Sequence, residues 1–478
     1  MNRWLSFFRT HNVDLKLLYI TMNFAYYSCY TFRAKFFDAV LKVNTGQYSY
    51  LAGALALLTF FASFGWSAFA DAIKGHKLIL LWSSLLAAMS FQLFLIRIEG
   101  SEVGRSIYIY GVSALYVGFC AAMAPLLDKL VLEVLQSRPS KPGSNTKELY
   151  GRQRLWGTAA YGVITFATGP LIDCLGYNVI FVQIAITTVV FLVYGYMILP
   201  SDSAMAAERQ KRKELLELEE SKLGSNGLPK DHISPCPTPD PTVALIDEKK
   251  KKERRPIFRL LTNAEYIFFL LVIFMNGFAR AVLTFNLSKY QETHMGLNKF
   301  QVGITCLFGI ILEIALFFVS KWCLRRLGVY WMLLGAQFSM VARVWAYYVI
   351  PAEPSMFYAV CAVELLKGIN FGLMHSAGIQ LAHRVAPKGL EATAQGLYTG
   401  VFTGLSAFAA GIFGGLINDD ENKLPLFMYT AIISTVALLI FLVKYALIDG
   451  VINFGFVKMD FYRSKKHKKD SLETAQEK

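Results

Sequence analysis

Three observations on this sequence predict an all-α membrane protein, with twelve transmembrane helices in two pseudo-symmetric six-helix bundles. Of its 478 residues, 55% are hydrophobic and 17% charged, with a mean hydropathy of +0.41, a balance that soluble domains rarely show. The apolar residues come in blocks of about 20, the length an α-helix needs to cross ~30 Å of hydrocarbon. A polar stretch of some sixty residues separates six such blocks from six more.

The opening MNRWLSFFRTHNVDLK is basic and leads straight into a full-length span, which predicts a retained first helix rather than a signal peptide. The first half places spans at 15–37, 48–70, 78–97 and 106–136, the last of them long and carrying Pro125. A fifth runs from the RLWG segment to Pro170, and a sixth covers 178–199. The second half gives 264–287, 299–320, 329–350, 356–378, 392–417 and 426–448. The chain therefore divides into an N-terminal bundle over 1–199, a charged and partly disordered linker over 200–262, a C-terminal bundle over 263–450 and a basic tail over 451–478. Within the linker, MAAERQKRKELLELEESK has the spacing of a charged surface helix with internal Glu–Lys pairs. The following GSNGLPKDHISPCPTPDPT is too rich in Gly, Pro and Ser to fold. Asn286-Leu-Ser288 matches the glycosylation sequon but falls at a helix end, and is discounted.

The net charge of +14 does not point to nucleic acid, because the basic residues sit at helix ends, in the linker and in the tail. That distribution suits a bilayer with anionic lipid. The N-terminus, the loops near 71–77, 137–154, 200–262, 321–326 and 383–388, and the tail all fall on one side of a twelve-span chain. The alternate loops, near 38–47, 98–105, 173–177, 351–355 and 418–424, are short or acidic. Both termini are therefore expected in the cytoplasm, with the plasma membrane favoured over internal membranes. The seven cysteines lie mostly in apolar stretches without paired spacing, so no metal, cofactor or disulfide is expected. No nucleophile–base set appears either, so an enzyme is not expected.

Two groups of charges carry the functional reading. PLLDKLVLEVL ends the fourth span and YGRQRLWG opens the fifth, which brings Asp128, Arg152 and Arg154 to one mouth of the bundle. Unpaired charge there is costly, so these residues are expected to pair and to act, with Asp71, as a cytoplasmic gate. The second group lies deep in the spans: Arg33, Arg280, Glu313, Arg343, Glu364 and Lys367. The helical rise places Arg280, Arg343 and Glu364 roughly 10–12 Å deep and Glu313 and Lys367 roughly 16–20 Å deep. Glu364 is expected to pair with Arg343 or Arg280, and Glu313 with Lys367. Gln395 is an equal candidate for solute contact or helix pairing, and His375 and His383 are expected to be solvated or capping. The stripe Gly396, Gly400 and Gly404 reads as a packing or sliding surface.

A repeat links the halves: DAIKGHKLILL after the second span answers LRRLGVYWMLL after the eighth. With PLLDKLVL, YGRQRLWG, LRRLG, Arg343 fifteen residues after Gly328, INFGLMHSA and TAQGLYTG, the chain resembles the major facilitator superfamily. The branch it resembles includes phenylpropionate permease, nucleoside–proton symporters and related eukaryotic proteins. The turn Asp71-AIKGHK departs from the superfamily's D-R-x-G-R pattern. The resemblance implies two bundles that rock about a cavity lined by helices 1, 4, 7 and 10. Proton-coupled relatives such as lactose permease carry an arginine in helix 9 and His-x-x-Glu in helix 10. Arg343 matches the first, whereas Lys367 and Asn370 stand at the helix 10 positions. The expected function is secondary active transport of a small polar organic solute, neutral or anionic, with protons as the candidate coupling ion and Glu313 or Glu364 as carrier. The alternative is a transporter-like receptor or scaffold that binds a ligand or partner without net transport.

Overall fold

The computed structural model describes residues 12–96, 101–137, 146–200, 262–386, 391–417 and 424–452. The expected linker helix, the linker segment expected to be unfolded and the basic tail beyond 452 lie outside the described residues, as does the side chain of His383. The first half comprises α1 (Val13–Tyr27), α2 (Arg33–Ala39), α3 (Thr45–Ile73), α4 (His76–Gln92), α5 (Glu102–Cys120), α6 (Met123–Ser137), α7 (Thr146–Leu175) and α8 (Val179–Ile198). The second half comprises α9 (Ala264–Thr293), α10 (Lys299–Arg326), α11 (Gly328–Val349), α12 (Phe357–Val385), α13 (Glu391–Thr399), α14 (Ser406–Ile417) and α15 (Leu424–Leu442). Among the described residues, ten helical stretches are long and apolar enough to cross a membrane. Of the twelve expected spans, the first is split, and the ninth is less apolar because α11 carries Gln337, Ser339 and Arg343.

Four expected spans differ in detail, each for a local reason. The first breaks between α1 and α2, where the Ser28 hydroxyl takes the Phe24 carbonyl at 2.6 Å and Thr31 turns toward α7. The fourth breaks at Ala121-Ala122, which puts Pro125 in the first turn of α6, where its missing N–H costs nothing. The fifth does not stop at Pro170: α7 runs through it to Leu175. The eleventh contains a π-helical turn at Gly400–Leu405, between α13 and α14.

The two halves repeat one packing scheme. The first span packs on the fifth and sixth, the second on the fourth and the third on the sixth. Six spans later, α9 packs on the eleventh and twelfth, α10 on α12, and α11 on α15. The related turns solve the same bend differently. Gly328 adopts φ +78°, whereas in the first copy the left-handed residue is Lys74, at φ +57°, just before Gly75. The halves meet along α3 with α14 and along α7 with α10.

The hydrophobic core is not shared evenly between the two ends. The basic end carries Lys74, Lys77, Lys129, Arg152, Arg154, Lys321, Arg325 and Arg326. At the opposite, far end one core is continuous across both halves, joining Phe36, Tyr48, Phe91 and Phe181 to Phe278, Val282, Tyr347 and Phe427. Toward the basic end the core divides. One part holds only first-half residues such as Leu18, Leu80, Leu127 and Phe191, the other only second-half residues such as Phe269, Met332, Tyr398 and Phe441. The halves are closed together at the far end and separate toward the basic end.

Candidate functional site

Ion pairs follow the same division. At the far end they bridge the halves: Lys289 of α9 lies 3.4 Å from Asp38 and 2.5 Å from the Thr45 hydroxyl. Lys35 also holds Asp38, at 2.8 Å. Lys299 of α10 reaches Asp173 at 3.2 Å and Glu292 at 3.8 Å, and the Phe300 amide donates to Asp173. Tyr177 donates to Glu292 at 2.5 Å. Burial, reinforced by that carboxylate, holds the Tyr177 hydroxyl far above its ordinary pKa, so it stays a donor. The sequence reading ended the seventh span at 287, which hid Lys289 and Glu292; α9 continues to Thr293 and carries both into the contact.

At the basic end the predicted gate charges pair within the first half. Asp128 accepts the Tyr19 hydroxyl at 2.7 Å and has Arg154 at 3.8 Å. Arg152, on the same helix, is exposed. Asp71 is held by Lys129 and by His76 at 2.9 Å, which ties the turn after α3 to α6. Gln395 is also exposed at this end. His375 departs from the expected solvated role: it is half-buried, stacked on Phe371 at 5.5 Å with the planes 7° apart.

The glycine stripe brings the helices to close approach. A Cβ at Gly411 would lie 2.5 Å from the Gly53 Cα, and one at Gly400 would lie 2.2 Å from the Phe60 ring. Only backbone without side chains fits there. Gly396 is different, with just the tip of Phe64 at 4.0 Å.

The deep charges form two separate sets. Arg343 donates to Glu364 through Nε at 3.1 Å and Nη2 at 2.8 Å, and Tyr347 adds a third donor at 2.7 Å. Arg343 is 4% and Glu364 2% exposed, so this pair is sealed inside the bundle. Asn370 belongs to a neighbouring amide network, donating to Asn276 at 3.1 Å and to the Ala336 carbonyl at 2.8 Å. Asn276 in turn donates to Gln337.

The second set faces the first half where the core divides. Lys367 lies over the Tyr161 ring at 5.8 Å and near the Cys306 sulfur at 3.7 Å. Arg280 lies over Phe402 at 4.9 Å, and Arg33 over Tyr30 at 4.6 Å and Phe285 at 5.5 Å. Glu313 feels the charges of Lys367 and Arg280, but among the described residues no hydrogen bond or ion pair holds its carboxylate. The expected Glu313–Lys367 ion pair is therefore not formed: the Lys367 ammonium is turned to a tyrosine ring and a thiol instead.

Three tyrosines complete this cleft: Tyr27, Tyr30 and Tyr161, with ring centres 4.5–5.8 Å apart. Tyr161 and Thr31 reach across to Cys306, so the cluster spans both halves. The sequence reading named none of the tyrosines. Their one signal is the spacing Tyr27, Tyr30, Arg33, which repeats every three residues toward the break after α1.

Comparison with known proteins agrees with this architecture. The chain matches the MFS_1 like family over residues 13–429. It is 22% identical over 426 residues to the maltose permease of Geobacillus stearothermophilus, covering 89% of this chain and 92% of that protein. It is 21% identical to the uncharacterized transporter YwbF of Bacillus subtilis (strain 168), over 68% of this chain and 67% of that one. Among solved structures, the nucleoside transporter NupG superposes with a TM-score of 0.69 at 13% identity, covering 91% of this chain and 99% of that one. A POT family transporter in complex with 5-aminolevulinic acid gives a TM-score of 0.63 at 13% identity, over 92% and 96%. A divided core, a repeated packing scheme and a match over nearly the whole chain lead to one conclusion: this chain belongs to the MFS_1 like family and is a multi-pass membrane transporter of the major facilitator superfamily.

Proposed function

We propose that the chain is a secondary active transporter that moves a small polar organic solute, neutral or anionic, by alternating access. The observation that carries this reading is the division of the core: one shared core at the far end, two separate cores at the basic end, and a charged, tyrosine-lined cleft where they part. Rocking that breaks the Lys289–Asp38 and Lys299–Asp173 pairs opens the cleft to the other side. We read the basic end, with its excess of lysine and arginine, as cytoplasmic and both termini with it, in a protein of the plasma membrane. The structure then represents the inward-facing state. Basic loops and tail rest against anionic lipid.

We further propose protons as the coupling ion and Glu313 as their carrier. Glu364 already accepts three hydrogen bonds, in a pair with Arg343 that is sealed inside the bundle. Among the described residues Glu313 has no such donors, and it stands in the cleft within the fields of Lys367 and Arg280. A carboxyl so placed can take up and release a proton as the cleft opens and closes.

Proteoliposomes carrying an internal pH dye and challenged with sugars, nucleosides and organic acids test both readings. The expected result is solute-dependent proton entry with at least one class. Glu313→Gln is then expected to abolish proton entry and accumulation against a gradient while retaining solute exchange. Solute binding without flux in any direction would instead mark a receptor. Flux that keeps its proton dependence in Glu313→Gln would remove that residue as carrier.

The gate charges give a further expectation. Asp128→Asn frees Arg154 and Tyr19 and is expected to alter thiol accessibility on both sides of the membrane, measured with membrane-impermeant reagents on single-cysteine variants. Unchanged accessibility on both sides would assign Asp128 to local packing within the first half.

A further inference from the structure

We infer that the cleft takes an organic dianion built on a flat, unsaturated ring, its two negative charges answered by Arg33 and Arg280. This inference rests on the reading of the cleft as the solute site.

The argument begins with charge. Among the described residues, three cations, Arg33, Arg280 and Lys367, line the cleft against one acid, Glu313. Glu313 stands within the fields of both Lys367 and Arg280, so the set keeps an excess of two positive charges. Both arginines lie on aromatic rings, and among the described residues no carboxylate pairs with either. In each, the Nε donor is buried without a hydrogen-bond partner among the described residues. An orphaned, buried guanidinium N–H is costly to leave unmade, and a guanidinium fork matches a carboxylate or phosphate in shape as well as charge. Ring stacking holds both forks in place before any ligand arrives, which lowers the entropy lost on binding.

The rest of the lining addresses the body of the ligand. Tyr27, Tyr30 and Tyr161 form an edge-to-face cluster with interplanar angles of 81°, 41° and 89°. Such a cluster offers both ring faces and ring edges to a flat π-system. The Tyr161 hydroxyl, with Thr31, Thr165 and the Cys306 thiol, supplies a few polar contacts beside it. Two orphaned cationic donors next to an aromatic wall do not suit a neutral polyol, which would leave both charges uncompensated, nor a cation.

Thermal stabilisation of the purified full chain in detergent, titrated with small probes at neutral pH, tests this directly. Isophthalate supplies two carboxylates and phenyl phosphate one phosphate; benzoate removes a charge, succinate removes the ring and benzyl alcohol removes all charge. The expected result is that isophthalate or phenyl phosphate binds at least about tenfold more tightly than benzoate and succinate, with benzyl alcohol inert. Whichever of the two leads identifies the anion as dicarboxylate or phosphate. Arg33→Gln and Arg280→Gln are each expected to bring the dianion down to the benzoate level. Arg280→Lys, which keeps the charge without the fork and guards against misfolding as the cause, is expected to fall between. Equal or tighter binding of benzoate, succinate or benzyl alcohol, no binding by either dianion, or dianion binding unchanged in both glutamine variants would overturn the inference. Proteoliposome flux of a neutral sugar or nucleoside in that event would leave the transport reading standing.

Discussion

Arg343→Ala is expected to destabilise the protein by roughly 3–5 kcal/mol, the cost of leaving a buried carboxylate without its partner. Glu364 would keep Tyr347 as a donor but lose both bonds from Arg343, in a site where it is 2% exposed. Glu364→Gln is expected to be nearly as costly, because the guanidinium is then the unpaired charge. The double variant Arg343→Met with Glu364→Gln should recover much of the loss, since neither charge is left alone in the bundle. Thermal or denaturant unfolding of the four proteins gives the coupling between the two sites. Strict additivity would mean that the residues act independently despite their 2.8 Å contact. On this expectation the pair belongs to the scaffold that holds α11 against α12, which leaves Glu313, Lys367 and Arg280 as the proposed pathway charges.

The second large effect is expected at Gly411. A side chain there would press on the Gly53 Cα at 2.5 Å and the Ser49 carbonyl at 2.6 Å, both backbone atoms of the opposite half. Overpacking of this kind costs roughly 1–3 kcal/mol. Under the proposed alternating access the contact is lost when the far end opens, so Gly411→Val should deplete the closed state by about 5–150-fold without unfolding either bundle. Uptake is expected to fall accordingly while thermal stability changes little. Gly396→Ala is the control: with only the tip of the Phe64 ring nearby, at 4.0 Å, it should transport normally. Equal loss in both variants would show that the stripe serves helix packing in general rather than closure at this crossing.

The fold class was legible because the bilayer demands uninterrupted apolar helices, and their number and polarity stand in the sequence. The repeated packing of the two halves was legible more faintly, through DAIKGHK and LRRLGVY. Helix interruptions were not. The break after Tyr27 goes with Thr31 reaching Tyr161 and Thr165 of another helix, and the π turn starts at Gly400, which packs on Phe60. No local pattern announces those tertiary contacts.

The site was legible as a list of deep charges but not as an arrangement. Helical rise gave depth correctly enough to bring Glu364 to Arg343. It does not give rotation, and the Lys367 ammonium lies over Tyr161 rather than at Glu313. The tyrosines were passed over because aromatic residues are abundant in membrane helices and most face lipid. The far-end pairs are hidden for a simpler reason: the apolar span ends at 287, short of Lys289 and Glu292. A span that outruns the hydrocarbon by a turn or more carries its charges into interhelical contact.

Distances between spin labels test alternating access most directly. One pair would sit at Glu102 and Glu353 on the far end, another at Ala72 and Arg325 on the basic end, each joining the two halves at exposed positions. Releasing the far-end pairs with Lys289→Ala should lengthen the first distance and shorten the second, in the same sample and in reciprocal populations. Two distances that stay fixed, or that lengthen together, would contradict rocking of the halves about the central cleft.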